Sequence, residues 1–401
     1  MFFEELQIVD YILLGALGLL FLVQLYWYAR YMAAPARMMR KDAKLPTAND
    51  DSSKSKTPGV SVILCAHNEA FNLSHFLKVL LTQDYPEYEV IVVDDGSEDA
   101  TREVVESFMT RDERLHMTFV PYGARVGSTK KLGLTLAAKA AKYDFLLLTD
   151  ADCCPESNHW ISEMMAGFGE GQSDKVLGKK DLVLGFAPYF CEPGHINRLV
   201  QYDTLFNGLH YLGAALCGHP YMGVGRNLAY RKALFFESGG FTHMMTTRAG
   251  DDDLFVNHVA TRANTAVVLS RDSYTWSLAK KNLRDWLQQK RRHISVSPDY
   301  TSASKVRLAL EPITRGLFYA LVIGIIVYQL PITGYQIPIP LLAAVGLFLV
   351  RWILQTAILN VSARRMGLHR FKMISVLWFD IVLPLISLWM LVVPQRKNNK
   401  W

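Results

Sequence analysis

Cysteine is scarce in this chain, and neither sign of charge dominates it. The five cysteines among 401 residues are odd in number and lack the spacing of metal ligands. This argues against a disulfide framework and a zinc site and fits a reducing compartment. The formal net charge is only +6, and the basic residues cluster beside apolar runs and at 290–292 instead of forming one stripe. Nucleic-acid binding is therefore disfavoured, and contact with membrane lipids or phosphate explains the charge better.

Apolar residues, by contrast, are plentiful and concentrate at the two ends. They make up 50% of the chain, more than a soluble domain usually carries. An apolar run at 11–29 has no cleavage site after it, and three more follow Pro312, at 316–330, 339–359 and 373–393. These runs predict one N-terminal and three C-terminal transmembrane helices around a soluble middle.

The charges that flank these runs predict the orientation. Glu4 and Glu5 precede the first run, whereas basic residues follow it and also lie between the last two runs, including Arg30, Arg37, Arg364, Arg365 and Arg370. The positive-inside rule then places the middle of the chain in the cytosol. The basic tail, with Arg396 and Lys397, would lie outside. Either the rule is violated there, or one run is re-entrant or interfacial.

The middle of the chain has an alternating pattern after a polar linker at 45–58. Short β-rich runs at 60–65, 89–93, 115–120 and 145–149 alternate with segments whose leucines, valines and phenylalanines recur at helical spacing. The pattern predicts an α/β domain with a mostly parallel sheet, whose ligands bind at the carboxyl ends of the strands.

Polar residues follow the first two predicted strands. His67, Asn68 and Glu69 come after the first, and Asp94 and Asp95 end the second. Each one alone is about as well explained as a turn former or helix cap. Two such ends on adjacent strands, however, indicate a crevice that binds the base and ribose of a nucleotide.

The fourth predicted strand leads directly into Asp150 and Asp152. A D-x-D triplet occurs by chance in many loops, but here a strand delivers both carboxylates to the ligand edge. Carboxylate oxygens suit Mg²⁺ or Mn²⁺ that also binds phosphate. Lys130 and Lys131 open the preceding helix, where a diphosphate could bind. For Lys131 a solvated helix face is a serious alternative.

Two later segments carry further candidate residues. The acids Asp251, Asp252 and Asp253 follow Gly250. One of them can be explained by its favourable interaction with the dipole of a helix that starts there. Three acids in a row repel one another, however, and indicate a general base. In the amphipathic stretch 283–293, Gln289, Arg292 and His293 share one helical face that could meet a diphosphate and an acceptor sugar. An interfacial helix on anionic lipid is the alternative, and it is compatible with that role.

With these motifs in hand, the chain from about 60 to 293 closely resembles the family-2 glycosyltransferases, which are inverting enzymes of the GT-A fold. The membrane-bound branch of that family includes cellulose, hyaluronan, chitin and poly-N-acetylglucosamine synthases. The resemblance is carried by segments 66–69, 94–97, 130–134, 223–227, 239–241 and 250–254 and by the D-x-D at Asp150 and Asp152. It implies a Rossmann-like nucleotide-sugar-binding domain with a mostly parallel sheet and flanking transmembrane helices.

The resemblance also implies roles for single residues. It implies nucleotide-sugar binding by His67, Asn68, Glu69, Asp94, Asp95, Lys130 and Asp150, and a Mn²⁺ or Mg²⁺ site at Asp150 and Asp152. It implies Asp251 as catalytic base with Arg292 assisting, and acceptor or diphosphate contacts by Asn227, Gln289, Arg292 and His293. The partners would be a UDP-sugar donor, a lipid or glycan acceptor and membrane lipids, at a bacterial inner membrane.

Two departures from the family pattern keep alternatives open. Gly250 stands where a glutamate is usual, so Asp252 could be the base in a shifted register. His293 stands where a tryptophan stacks on the acceptor, so a single addition becomes at least as well supported as polymerisation. The competing functions are a processive synthase that exports its product, a nucleotide-binding membrane sensor and a nucleotidyltransferase. A nucleotidyltransferase would typically have an N-terminal Gly-rich loop followed by Arg and Lys, which this sequence lacks.

The domain organisation predicted from these patterns has five parts. They are an N-terminal transmembrane helix with its basic flank at 1–44, a linker at 45–58, a catalytic domain at 59–275, an amphipathic interfacial region at 276–312 and C-terminal transmembrane helices at 313–401.

Overall fold

The computed structural model describes residues 7–42, 57–121, 123–124, 126–169, 180–247, 249–329 and 338–392. It divides into two compact units, one spanning Arg37–Tyr300 and the other combining Met1–Ala36 with Thr301–Trp401. Most of the predicted linker, the loop at 331–337, Glu4, Glu5 and the basic tail lie outside the described residues.

Four strands of the first unit confirm the predicted runs to within one residue at each end. They are β1 Val60–Ala66, β2 Tyr88–Asp94, β3 Leu115–Phe119 and β4 Phe145–Leu148. Strand β1 pairs in parallel with both β2 and β4, and β2 pairs in parallel with β3. Every residue of β2 and β4 is buried, as expected for strands that are covered on both faces.

Five further strands are short, and the sequence patterns did not predict them. They are β5 Cys153–Pro155, β6 Leu182–Leu184, β7 Leu228–Arg231, β8 Thr265–Val267 and β9 Thr275–Ser277. In the seven-stranded sheet of order β3-β2-β1-β4-β7-β6-β8, β7 is antiparallel to its neighbours β4 and β6. Strands β5 and β9 form a separate antiparallel pair. The sheet is therefore mixed, with its parallel part at the predicted ligand edge.

Helices connect and cover the strands, and others form the second unit. In chain order they are α1 Ile8–Trp27, α2 Ala34–Asp42, α3 Ala70–Leu81, α4 Thr101–Met109, α5 Thr129–Ala140, α6 Trp160–Ala166, α7 His195–Leu216, α8 Lys232–Glu237, α9 Asp253–Val259, α10 Leu283–Ile294, α11 Ser302–Gln329, α12 Ile339–Arg365 and α13 Met373–Val392. A π-helical segment, Tyr28–Met32, follows α1. Leu73, Leu77 and Val105 of α3 and α4 join the sheet residues in one core, which fixes the strand ends.

Four helices of the described chain are long and apolar enough to cross a membrane, as predicted. They are Ile8–Arg40, Ser302–Gln329, Ile339–Arg365 and Met373–Met390. Leu17, Phe318, Val322, Ile325 and Ala344 form the apolar core that α1, α11 and α12 share. Many of their other large apolar side chains are exposed, which suits a lipid environment better than water.

Candidate active site

The carboxyl ends of β1, β2 and β4 meet at one edge of the sheet, because the three strands are parallel neighbours. Ala66 of β1 lies beside Asp94 of β2 in the ladder, and β4 leads at this edge into Asp150. The structure thus brings together the strand-end residues that the sequence analysis singled out.

The segment after β1 is fastened to the turn after β2. His67 Nδ1 lies 2.7 Å from the backbone oxygen of Asp95. Asn68 has a positive φ of 60°, which asparagine tolerates better than most residues, and its Oδ1 accepts the backbone N–H of Glu98 at 2.8 Å. The carboxamide oxygen of Asn68 is therefore bound to the turn after β2 although the residue is exposed, and His67 and Glu69 on either side of it are half-buried.

The two aspartates of β2 and its turn differ in their surroundings. Asp94 accepts the Ser97 backbone N–H at 2.9 Å and lies 3.6 Å from Arg102, which is the behaviour of a turn-stabilising residue. Asp95 accepts a hydrogen bond from the Thr129 hydroxyl at 2.8 Å, and burial raises the pKa of its carboxyl. Asp95 thus links the turn after β2 to the start of α5.

Lys130 joins the D-x-D segment to the acidic motif. Its Nζ lies 3.2 Å from Asp150 Oδ1 and 3.0 Å from Asp251 Oδ2. Ser128 caps α5 by accepting the backbone N–H of Lys131, and this start directs Lys130 into the crevice. Residues more than 100 positions apart in the chain therefore meet at one ammonium group.

The three consecutive aspartates of the acidic motif have three different environments. Gly250 adopts a φ of 87°, a conformation that favours glycine, and this explains its presence where the family has glutamate. Asp252 accepts backbone N–H groups at both carboxylate oxygens, from Gly225 at 2.7 Å and Asp253 at 2.8 Å. Asp253 is buried and accepts a hydrogen bond from Tyr300 at 3.0 Å. Asp251 alone of the three pairs with Lys130.

The acidities of these carboxyls differ accordingly. Burial opposes ionisation of Asp251, but the Lys130 ammonium outweighs it and holds the pKa below the usual range. Burial and the neighbouring Asp251 charge raise the pKa of Asp252. Burial and Asp252 raise the pKa of Asp253 to about 8. Asp251 is thus the member of the motif held most firmly as a carboxylate.

The D-x-D carboxylates fit a divalent cation. Burial and then the neighbouring Asp150 charge raise the pKa of Asp152, and a divalent cation bound to these carboxylates would offset that charge. Among the described residues no three His, Cys, Asp or Glu side chains group as metal ligands. Two carboxylates nevertheless suffice for Mg²⁺, which usually keeps waters and binds substrate phosphates as well.

The predicted helix at 283–293 is present as α10, with Trp286 on its buried side. Gln289 Nε2 donates to the Tyr189 hydroxyl at 3.1 Å, and the Arg226 guanidinium lies 4.2 Å from the centre of the Tyr189 ring. Arg292 and His293 are exposed. Sequence patterns offered no signal for Tyr189, whereas Arg226 could have been noticed as a cation inside a glycine-rich segment.

Two residues lie elsewhere than their predicted roles imply. Asn227 is completely buried; its amide donates to the backbone oxygens of Phe186 and Ser273, and its oxygen accepts the Trp160 indole N–H. Its side chain makes its hydrogen bonds within the core and does not face the crevice. Lys131 is also completely buried, which excludes the alternative of a solvated helix face and leaves no exposed atom for contact with a diphosphate.

Comparisons with known proteins show what the chain is similar to. Residues 61–203 match the family model described as glycosyl transferase family 2. Glycosyltransferase AglE of Haloferax volcanii is 33% identical over 155 residues, which cover 38% of this chain and 47% of the relative. Chondroitin synthase of Escherichia coli is 24% identical over 220 residues, covering 49% of this chain and 31% of the relative. The chain thus spans less than half the length of these curated relatives.

A solved structure covers almost the whole chain. It is the mannosyltransferase PcManGT from Pyrobaculum calidifontis in complex with GDP-Man and Mn²⁺. The likeness has a TM-score of 0.50 and 17% identity, and it covers 96% of this chain and 95% of that one. At that identity the likeness concerns the fold alone. The predicted family resemblance and the predicted GT-A fold class are both confirmed.

Proposed function

We propose that this chain, whose residues 61–203 match the model of glycosyl transferase family 2, is a membrane-bound inverting glycosyltransferase that moves a sugar from a nucleotide-sugar donor to an acceptor hydroxyl. The observation that carries the proposal is the meeting of Asp150, Lys130 and Asp251 at the carboxyl edge of the sheet. One crevice there combines candidate leaving-group contacts with a candidate base.

The transfer is a single displacement. The acceptor hydroxyl oxygen attacks the anomeric carbon as its proton passes to the Asp251 carboxylate. The bond between that carbon and the diphosphate oxygen breaks, and the nucleoside diphosphate leaves with the bonding electrons. One displacement inverts the anomeric centre, so an α-linked donor yields a β-linked product.

Asp251 is preferred to Asp252 as the base because of their contacts. Both oxygens of Asp252 already accept backbone N–H groups, whereas the pairing of Asp251 is with the mobile end of a lysine side chain. When a diphosphate enters, Lys130 can turn towards it, and the Asp251 carboxylate becomes more basic as that cation withdraws.

Asp150 and Asp152 would hold Mn²⁺ or Mg²⁺. Bound there, the cation would neutralise charge on the diphosphate oxygens. His67, Glu69 and Asp95 lie at the same edge, where the base and ribose of the donor would bind. Gln289, Arg292 and His293 of α10 would meet the acceptor, which we propose to be a lipid or a glycan.

The test uses full-length protein purified in detergent. It is incubated with a panel of UDP- and GDP-sugars, Mn²⁺ or Mg²⁺, and lipid or oligosaccharide acceptors. We expect acceptor-stimulated release of the nucleoside diphosphate, lost in EDTA and in Asp251→Asn. Release of pyrophosphate would instead indicate a nucleotidyltransferase, and binding without turnover of any donor would indicate a sensor.

We also propose that the catalytic domain lies on the cytosolic side of a bacterial inner membrane. The support is the basic group Arg30, Arg37 and Arg40, which follows the apolar run at 11–29, and the basic loop before the last span. Protease added to sealed inside-out vesicles should therefore cleave within 57–300. Protection of that whole region would contradict this orientation.

A further inference from the structure

Lys131 is a buried cation for which the proposed reaction has no direct use. Its side chain is 0% exposed. Its Nζ donates to the backbone oxygens of Met244 at 2.7 Å and of Thr247 and Ala249 at 2.8 Å each. A lysine ammonium has three donors, so all of them are used on one segment of backbone.

The segment that Lys131 holds leads directly into the acidic motif, and we call residues 241–250 the acidic-motif loop. Its described part is built of tight turns, in which Met244 N–H donates to Phe241 O at 2.9 Å and Thr247 N–H donates to Met244 O at 3.2 Å. A buried carbonyl without a partner costs about 1–3 kcal/mol. Lys131 supplies a partner to the carbonyls of Thr247 and Ala249 and a second partner to that of Met244.

A second contact fixes the same loop independently. A Cβ placed on Gly127 would lie 2.2 Å from the backbone oxygen of Met245, so the loop backbone rests directly on the chain that enters α5. Helix α5 itself packs closely on the sheet, since a Cβ on Gly133 would lie 2.7 Å from Val93 Cγ1. The loop is therefore held against a rigid support.

Lys131 and its neighbour Lys130 contact adjacent positions at the start of the acidic motif. Lys131 holds the backbone that ends at Ala249, and Lys130 pairs with the carboxylate of Asp251, two residues further on. Both lysines start from the first turn of α5. The first turn of α5 thus contacts both the backbone before Asp251 and the Asp251 carboxylate itself.

We propose that Lys131 is a positioning residue, which presets the acidic-motif loop so that Asp251 stands ready before the donor binds. This inference rests on the proposed function for its effect on catalysis, but not for its effect on the loop. Lys131 touches no substrate. Its influence follows from the steep dependence of catalysis on geometry, where a displacement of 1 Å can cost about 10²-fold in rate.

The first experiment measures transfer by Lys131→Met, with Lys139→Met on the exposed part of the same helix as the matched control. We expect kcat to fall about 10- to 100-fold with the donor KM within about 3-fold of wild type. Lys139→Met should match wild type. Lys131→Arg, which keeps the cation and donors, should recover part of the loss. An unchanged kcat in Lys131→Met, or equal loss in the arginine variant, would overturn the proposal.

Combination with Asp251→Asn separates positioning from general stability. If Lys131 acts through Asp251, Lys131→Met should lower the residual rate of Asp251→Asn by less than about 2-fold, because coupled effects do not add. A full additional loss in that background would show that Lys131 does not work through the base. Residual rates are measured with radiolabelled donor.

Hydrogen exchange tests the loop without any activity. In Lys131→Met, peptides covering 241–250 should exchange faster than in wild type, whereas peptides covering 265–277 should not change. Equal exchange of the loop in both proteins would overturn the proposal even if transfer is found. Absence of transfer from every donor by the wild type would instead overturn the proposed function and leave the exchange result to decide the role of Lys131 in the loop.

Discussion

The proposed catalytic crevice and the helical unit both bury acids beside cations, but the acids are compensated to different degrees. In the helical unit, the Asp380 side chain is 0% exposed. It accepts four hydrogen bonds, from Arg315 at 2.6 Å, Gln355 at 2.7 Å, Tyr319 at 2.5 Å and Arg351 at 3.0 Å. The charge of Asp380 is thus compensated from within the protein.

The crevice keeps part of its charge accessible. The side chains of Lys130 and Asp150 remain 33% and 32% exposed, and one ammonium serves two carboxylates. Removing one partner of a fully compensated buried acid destabilises the helices that surround it, whereas partly compensated acids can exchange their partner for a ligand. The comparison therefore predicts that substitutions in the crevice remove activity and that substitutions around Asp380 remove stability.

The largest effect is expected at the D-x-D carboxylates. Asp150→Ala or Asp152→Ala should lower metal-dependent transfer by about 10³-fold or more, because several kcal/mol of charge stabilisation at the leaving group are lost. The melting temperature should stay close to that of the exposed control Asp272→Ala. Substantial activity of either variant at saturating Mn²⁺ would exclude the assigned metal site and weaken the contrast between the two regions.

Asp380→Asn should have the opposite result, with lower stability and nearly unchanged activity. The change leaves Arg315 and Arg351 with less negative charge in a buried site, and breaking such a cluster typically costs about 3–5 kcal/mol. Thermal unfolding in detergent should show a lower melting temperature, while kcat/KM of the folded protein stays within about 2-fold of wild type. The control is Asp272→Asn. A normal melting temperature would mean that the cluster contributes little to the stability of the helices.

At the acidic motif the expected effect is on turnover alone. Asp251→Asn should keep donor binding and lower kcat by roughly 10²-fold or more, which is the scale expected for loss of a positioned base. Steady-state kinetics and donor binding by calorimetry give the two quantities. If Asp252→Asn shows the large effect and Asp251→Asn a mild one, the base lies one position later than the contacts suggest.

Sequence patterns predicted the regular part of the fold and many of the residues at the carboxyl edge of the sheet. The strands β1 to β4 are apolar runs bounded by polar residues, so their ends were placed to within one residue. The later strands have three or four residues each, which is too short for any periodicity to be visible. The D-x-D carboxylates could be singled out because they directly follow a predicted strand, and their role stays a prediction.

The environments of single polar residues could not be predicted in the same way. The partners of Lys131 are backbone oxygens 113 to 118 positions away in the chain, and a backbone carbonyl carries no sequence signal. Asn227 likewise serves a buried indole and two backbone oxygens that only the fold brings together. Residue type indicates what chemistry is available, and tertiary structure decides whether the core or the crevice uses it.

The smallest effect in this comparison is expected at His293, which is exposed on α10. An indole offers a broader apolar face to a sugar ring than an imidazole does. His293→Trp should therefore tighten acceptor binding or lengthen the product, with a change of a few-fold in acceptor KM that corresponds to about 0.5–1.5 kcal/mol. His293→Ala should weaken acceptor binding more than donor binding.

A tryptophan added elsewhere on the same helix separates stacking from mere apolarity. Gln288 is exposed on another side of α10, so Gln288→Trp should leave the acceptor KM and product length unchanged. Product length is measured by mass spectrometry with donor and acceptor varied separately. Because the wild type has no indole at position 293, it should make single additions or short oligomers. Long polymer from the wild type would show that the growing chain is held by other groups, and the Tyr189 ring beside Gln289 would then be the first to substitute.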